Sequence, residues 1–66
     1  MSEAAIRDAH AAGDGRALVT LYLAAADALH DDERAFVLTQ AWIYALEAGD
    51  ARAGSVRDRL AEMGRV

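Results

Sequence analysis

The chain has no cysteine, no proline and no lysine, and only four aromatic residues in 66. Without thiols there is no disulfide to cross-link a small core, and two histidines alone do not make a structural zinc site. All seven basic residues are arginine, against eleven acids, for a net charge of −4. An acidic chain without a basic stripe is poorly suited to a phosphate backbone, so no nucleic-acid partner is expected. No segment approaches the roughly 18 consecutive apolar residues of a membrane span. The opening MSEAAIRDAHAAG carries acids and lacks an apolar run, so no secretory leader is expected. No membrane partner and a cytoplasmic location follow as expectations.

Large apolar side chains are also scarce. Hydrophobic residues make up 55% of the chain, but 17 of them are alanine, which favours helix and buries little area. A chain of this length covers only about 60% of the surface its unfolded form exposes. With nothing to staple so thin a core, oligomerisation is expected. The β-branched residues are scattered rather than alternating with polar ones, and an all-α fold follows.

Glycine and aspartate supply the punctuation. Gly13 and Gly49 each end an alanine-rich run and precede an aspartate, as expected where a helix stops on a left-handed glycine and the next starts on an Asp cap. Asp14 and Asp50 are those caps. A third boundary falls in LHDDER, where Asp31 or Asp32 is expected to cap and Glu33 adds favourable charge. Four helices near 2–12, 15–30, 32–48 and 51–63 result, in a single domain of two hairpins, about 2–30 and 32–63. Connections this short force antiparallel neighbours.

The helices differ in their faces. The second carries a broad stripe of Leu18, Leu21, Tyr22, Ala25 and Leu29, widened by Val19, Leu23 and Ala26, and the fourth a narrow one of Ala53, Val56, Leu60 and Met63. The first offers Ile6 with Ala5, Ala9 and Ala12. In the third, Phe36, Val37, Leu38, Ala41, Trp42, Ile43, Tyr44, Ala45 and Leu46 surround the axis almost completely. Three small helices cannot cover such a surface, and a second copy of the chain is the expected remedy.

Ala-Gly-Asp-x-Arg-Ala is written twice, 36 residues apart, a period that marks helical solenoids. IRDAHAAGD aligns with WIYALEAGD, matching Ala9 to Ala45 and Ala12 to Ala48; downstream, Leu18 opposes Gly54 and Ala24 opposes Leu60. The segment ERAFVLTQAWIYALEAGDARAGSVRDRLAEMG resembles the Sel-one-like subfamily of tetratricopeptide-type repeats, in which a helix ending A-x-x-A-G-D/N leads into one starting x-x-A. The matching residues are Ala45, Ala48, Gly49, Asp50 and Ala53, and earlier Ala9, Ala12, Gly13, Asp14 and Ala17. The family's Leu-Gly-x-x-Tyr element is represented by LVTLYLAA, with Tyr22 present and Thr20 or Leu21 where glycine stands in the family. The resemblance implies a stack of helical hairpins that binds proteins. Two repeats are fewer than the three or so a stable solenoid needs, which implies stacking on a partner or on itself.

Candidate chemistry is sparse. His30-Asp31-Asp32-Glu33 is the one dense run of potential ligands, but consecutive residues at a helix start point apart, and a solvated turn is expected. His10 lies near Asp8 and Asp14 without a nucleophile; Ser2 and Ser55 have no elbow context. Arg52, Arg57, Arg59 and Arg65 read as a solvated face, or as a dock for an acidic partner or for the 31–33 turn of a second copy. Trp42 and Tyr44 lie on opposite sides of their helix, so that one can be core while the other meets a partner. No catalytic set, metal site or cofactor is expected. The expected function is a non-enzymatic protein-interaction module that homodimerises through Phe36, Trp42, Ile43, Tyr44 and Leu46. The rival is a small ligand-binding bundle with an apolar pocket lined by the third helix.

Overall fold

In the computed structural model, which describes residues 3–66, four helices run α1 (Glu3–Ala12), α2 (Gly15–Asp27), α3 (Asp31–Ala48) and α4 (Arg52–Glu62). The protein is all-α, its short connections folding successive helices back as hairpins. Ser2, placed at the start of the first helix by the sequence reading, lies outside the described residues.

The glycine stop is built the same way twice, but the restarts differ. Asp14 caps α2, whereas α4 starts on Ala51 with no side-chain cap. Asp50, expected to be that cap, spends its carboxylate on the amide and guanidinium of Arg52 instead. Gly13 and Gly49 adopt left-handed φ values of 66° and 63°. Gly13 and Asp14 donate their amides to His10 and Ala9, and Gly49 and Asp50 to Leu46 and Ala45. Each joint thus satisfies two orphan carbonyls at a helix end. Asp14 then accepts from the Ala17 amide at 3.1 Å, and Asp50 from the Arg52 amide at 2.9 Å. Gly49→Ala, at a site with open space around the missing Cβ, is expected to cost about 1 kcal/mol through the left-handed backbone alone. Urea unfolding checks this, and Gly13→Ala should match it.

The α2–α3 boundary departs from the sequence reading. The second helix ends at Asp27 rather than near 30, and no side chain caps α3; the Arg34 amide goes to the His30 carbonyl instead of to Asp31 or Asp32. No glycine is available here, and Asp31 takes the left-handed turn itself, at φ 50°. A short polar side chain tolerates that conformation best after glycine. Once in it, Asp31 no longer occupies the extended geometry of a cap. Leu29, freed from α2, packs half-buried against the core, and Arg34 Nε donates to the Ala26 carbonyl at 3.0 Å, closing the exposed end of α2.

The core lies where α3 meets α2 and α4. Leu38, Ala41 and Ala45 of α3 are fully buried, with Ala26 from α2 and Val56 and Leu60 from α4. Among the described residues helix α1 packs mainly on α2, touching α3 through His10, and buries only Ala9. The Cα atoms span 32 × 24 × 12 Å. A slab so thin leaves one side of its central helix in water.

The repeat decays downstream for a physical reason. Leu18 and Val19 are buried in α2, while their counterparts in α4, Gly54 and Ser55, are exposed, no further helix among the described residues lying over them. Conversely Val56 and Leu60 are buried against α3, while Thr20 and Ala24 are exposed. The described part of α1 starts at the position matching Thr39 and leaves the end of α2 without a neighbour on that side. Gly15 stands where the second copy has Ala51. A Cβ at Gly15 would meet the Ala48 Cβ at 3.4 Å, whereas Ala51 is exposed.

Candidate interaction surface

Helix α3 presents two kinds of surface beyond the core. On its solvent side Phe36 is 63% exposed, Ile43 41% and Leu46 57%. At 100° per residue these three fall in one sector about 80° wide that also holds Thr39, with Gln40 about 40° beyond Phe36. Beside Phe36 runs a groove of roughly 470 Å³ lined by Asp32, Ala35, Phe36, Thr39, Gln40 and Arg65. Arg65 reaches it because Gly64, at φ 73°, turns the chain back after α4, the Arg65 amide bonding to the Leu60 carbonyl. The Arg65 guanidinium pairs with Asp32 across the groove mouth.

The other two residues expected at an interface have partners within the chain. Trp42 is half-buried against the core with Leu38 and Leu60 nearby in the same cluster. Tyr44 is half-buried and stacked on Tyr22, ring centroids 5.9 Å apart and planes 1° from parallel. His10 stands edge-on to Tyr44 at 5.4 Å and shares a hydrogen bond of 3.2 Å between its Nε2 and the Tyr22 hydroxyl. Burial first, then neighbouring Tyr44, push the Tyr22 hydroxyl above its usual 10.0. Around this cluster opens a second groove, of roughly 450 Å³, with Ile6, Tyr22 and Val37 inside and Glu3, Arg7 and His10 at its rim. His10 is exposed; its aromatic neighbours come from α2 and α3, 12 and 34 residues away, and no local pattern marks them.

The arginines are also used internally. Arg59 reaches Asp27 at 3.7 Å, and Arg65 takes Asp32 of its own chain, so the 31–33 turn is not left for a second copy's arginine alone. Arg52 is the most connected: it donates to Asp50 through Nε and NH2 and, across the bundle, to the Thr20 hydroxyl at 2.7 Å and the Arg16 carbonyl at 3.1 Å. It ties the start of α4 to α2, which α4 otherwise hardly touches. The hydrogen bonds from Arg52 hold the Asp50 carboxyl far below its usual 3.8. A depressed folded value means that Asp50 contributes stability above about pH 4, and that the contribution is lost as the pH falls from there toward the folded value. Asp50→Asn should therefore destabilise the protein at pH 7 and flatten the loss of stability between pH 4 and 2, as urea titrations at each pH would read; an unchanged acid slope would contradict the tie.

His30, Asp31, Asp32 and Glu33 are all exposed, and among the described residues no three His, Asp or Glu side chains converge on a metal position. Ser55 spends its hydroxyl on the Arg52 carbonyl. Among the described residues no helix is long and apolar enough to cross a membrane. No protein-family model matches the chain, and neither a curated protein nor a solved structure matches it.

Proposed function

We propose that this chain is a non-enzymatic protein-interaction and assembly module of helical-repeat type, self-associating through the outer face of α3. The observation that carries this reading is the exposed line of Phe36, Ile43 and Leu46. Scattered exposed leucines are ordinary, but three large apolar side chains exposed in one sector of the central helix, in a chain with few of them, are not. The two matching glycine–aspartate joints support the repeat character, and the small or polar residues exposed on α4 (Ala51, Gly54, Ser55, Asp58) suit a helix that ends a stack. The proposal is tested by subunit exchange: tagged and untagged chains mixed at tens of micromolar should give mixed dimers by native mass spectrometry. Only single chains at every concentration would refute self-association.

A second reading rests on the Ile6–Tyr22–Val37 groove, which has the size and apolar interior of a small-ligand site. It is lined mostly by α1, with Tyr22 from α2 and Val37 from α3, so the third helix contributes one wall residue rather than the whole pocket. An apolar or aromatic compound that quenches tyrosine fluorescence and raises the melting temperature would support it.

A further inference from the structure

We infer that two copies of the chain pack α3 against α3 in antiparallel fashion, about a two-fold axis level with Ala41, so that Leu46 of each copy enters the groove beside Phe36 of the other. In the same arrangement Glu47 of each copy meets Arg65 of the other. This rests on the self-association reading and specifies its geometry.

The α3 face is self-complementary in one direction only. At its N-terminal end is a groove with Phe36 as one wall; at its C-terminal end Leu46, 57% exposed, stands out as a knob. Groove and knob are ten residues apart, about 15 Å along the helix. A two-fold axis midway exchanges them, filling both grooves with one operation, as an isologous interface requires. Ile43 then lies near the axis, over Thr39 of the other copy.

Charge points the same way. Asp32 lies on this face at the N-terminal end, with Asp31 and Glu33 beside it, and exposed Glu47 flanks the stripe at the C-terminal end. A parallel pair would set Asp32 against Asp32 and Glu47 against Glu47, like charges twice over. Reversing one helix instead carries Glu47 to the level of Ala35 in the other copy, beside the Arg65 guanidinium that already closes the groove. Arg65 then serves two carboxylates, one from each chain. Antiparallel packing also opposes the helix dipoles favourably.

The test is a charge swap read by sedimentation equilibrium, with an independent distance. Glu47→Arg and Arg65→Glu should each weaken the dimer tenfold or more, because each places two like-charge pairs across the axis; together they should restore it to within about threefold. The chain has no cysteine, so Glu33→Cys carries a single spin label outside the proposed contacts. Labels in the antiparallel dimer should be more than 20 Å apart, from sixteen residues of offset at about 1.5 Å each. Labels within about 12 Å, or a dimer whose two charge reversals act independently, would overturn the antiparallel geometry while leaving self-association standing. A wild-type chain that stays monomeric would overturn both.

Discussion

Leu38→Ala is expected to lower the free energy of unfolding by about 3 to 4 kcal/mol, the middle of the range for truncating a buried leucine. Leu38 is 0% exposed and sits where α3 faces both α2 and α4. Around it are alanines (Ala26, Ala35 and Ala41), which have no spare volume to collapse into the space a leucine leaves. The cost is large against what so small a domain holds in total, about 3 to 10 kcal/mol. Far-ultraviolet circular dichroism during urea titration should show a midpoint near zero denaturant, or a chain largely unfolded at 37 °C. Leu60→Ala, at the same junction from the α4 side, should behave alike. A loss under 1 kcal/mol at Leu38 would mean that the three helices do not share one core.

Ile43→Asp is expected to weaken self-association at least a hundredfold while leaving the helical content unchanged. The side chain is 41% exposed in the single chain, so the substitution removes little from the core. In the dimer it lies close to the symmetry axis, and two carboxylates would be pressed against apolar surface and near each other. The pairing of effects is diagnostic: Leu38→Ala attacks the fold and only through it the assembly, whereas Ile43→Asp attacks the assembly alone. Because a partner that binds only the folded chain raises its apparent stability, the wild-type melting temperature should rise with protein concentration and that of Ile43→Asp should not.

Much of the architecture is written locally. A glycine followed by aspartate after an alanine run specifies a left-handed stop, which forms at both Gly13 and Gly49. It also specifies a capped restart, which forms at Asp14 but not at Asp50, where Arg52 takes the carboxylate and α4 begins on Ala51. The α2–α3 turn was less legible because it lacks that glycine. Leu29 continues the apolar stripe of α2, so the periodicity runs on past Asp27, while the actual stop depends on Asp31 accepting a left-handed backbone and on Arg34 reaching back to Ala26.

The open face of α3 was legible only in part: Phe36, Ile43 and Leu46 were expected on it and are exposed, whereas Trp42 and Tyr44, expected beside them, are half-buried. Phe36, Ile43 and Leu46 are no less apolar than Val37, Leu38 and Trp42. Which set is covered depends on where α2 and α4 dock, and those two helices together leave one sector of α3 facing water. The His10–Tyr22–Tyr44 cluster depends in the same way on the register of two hairpins. The fading of the repeat was visible in the sequence, with Leu18 opposite Gly54 and Ala24 opposite Leu60, and in the structure Leu18 and Leu60 are buried while Gly54 and Ala24 are exposed.

Sedimentation equilibrium of the wild-type chain beside Ile43→Asp tests the central claim most directly. From about 1 to 200 µM, the wild type should pass from the 7.0 kDa of one chain toward twice that mass, and the variant should remain at one chain throughout. A wild type fixed at 7.0 kDa over that range, or a dimer that Ile43→Asp leaves intact, would contradict it.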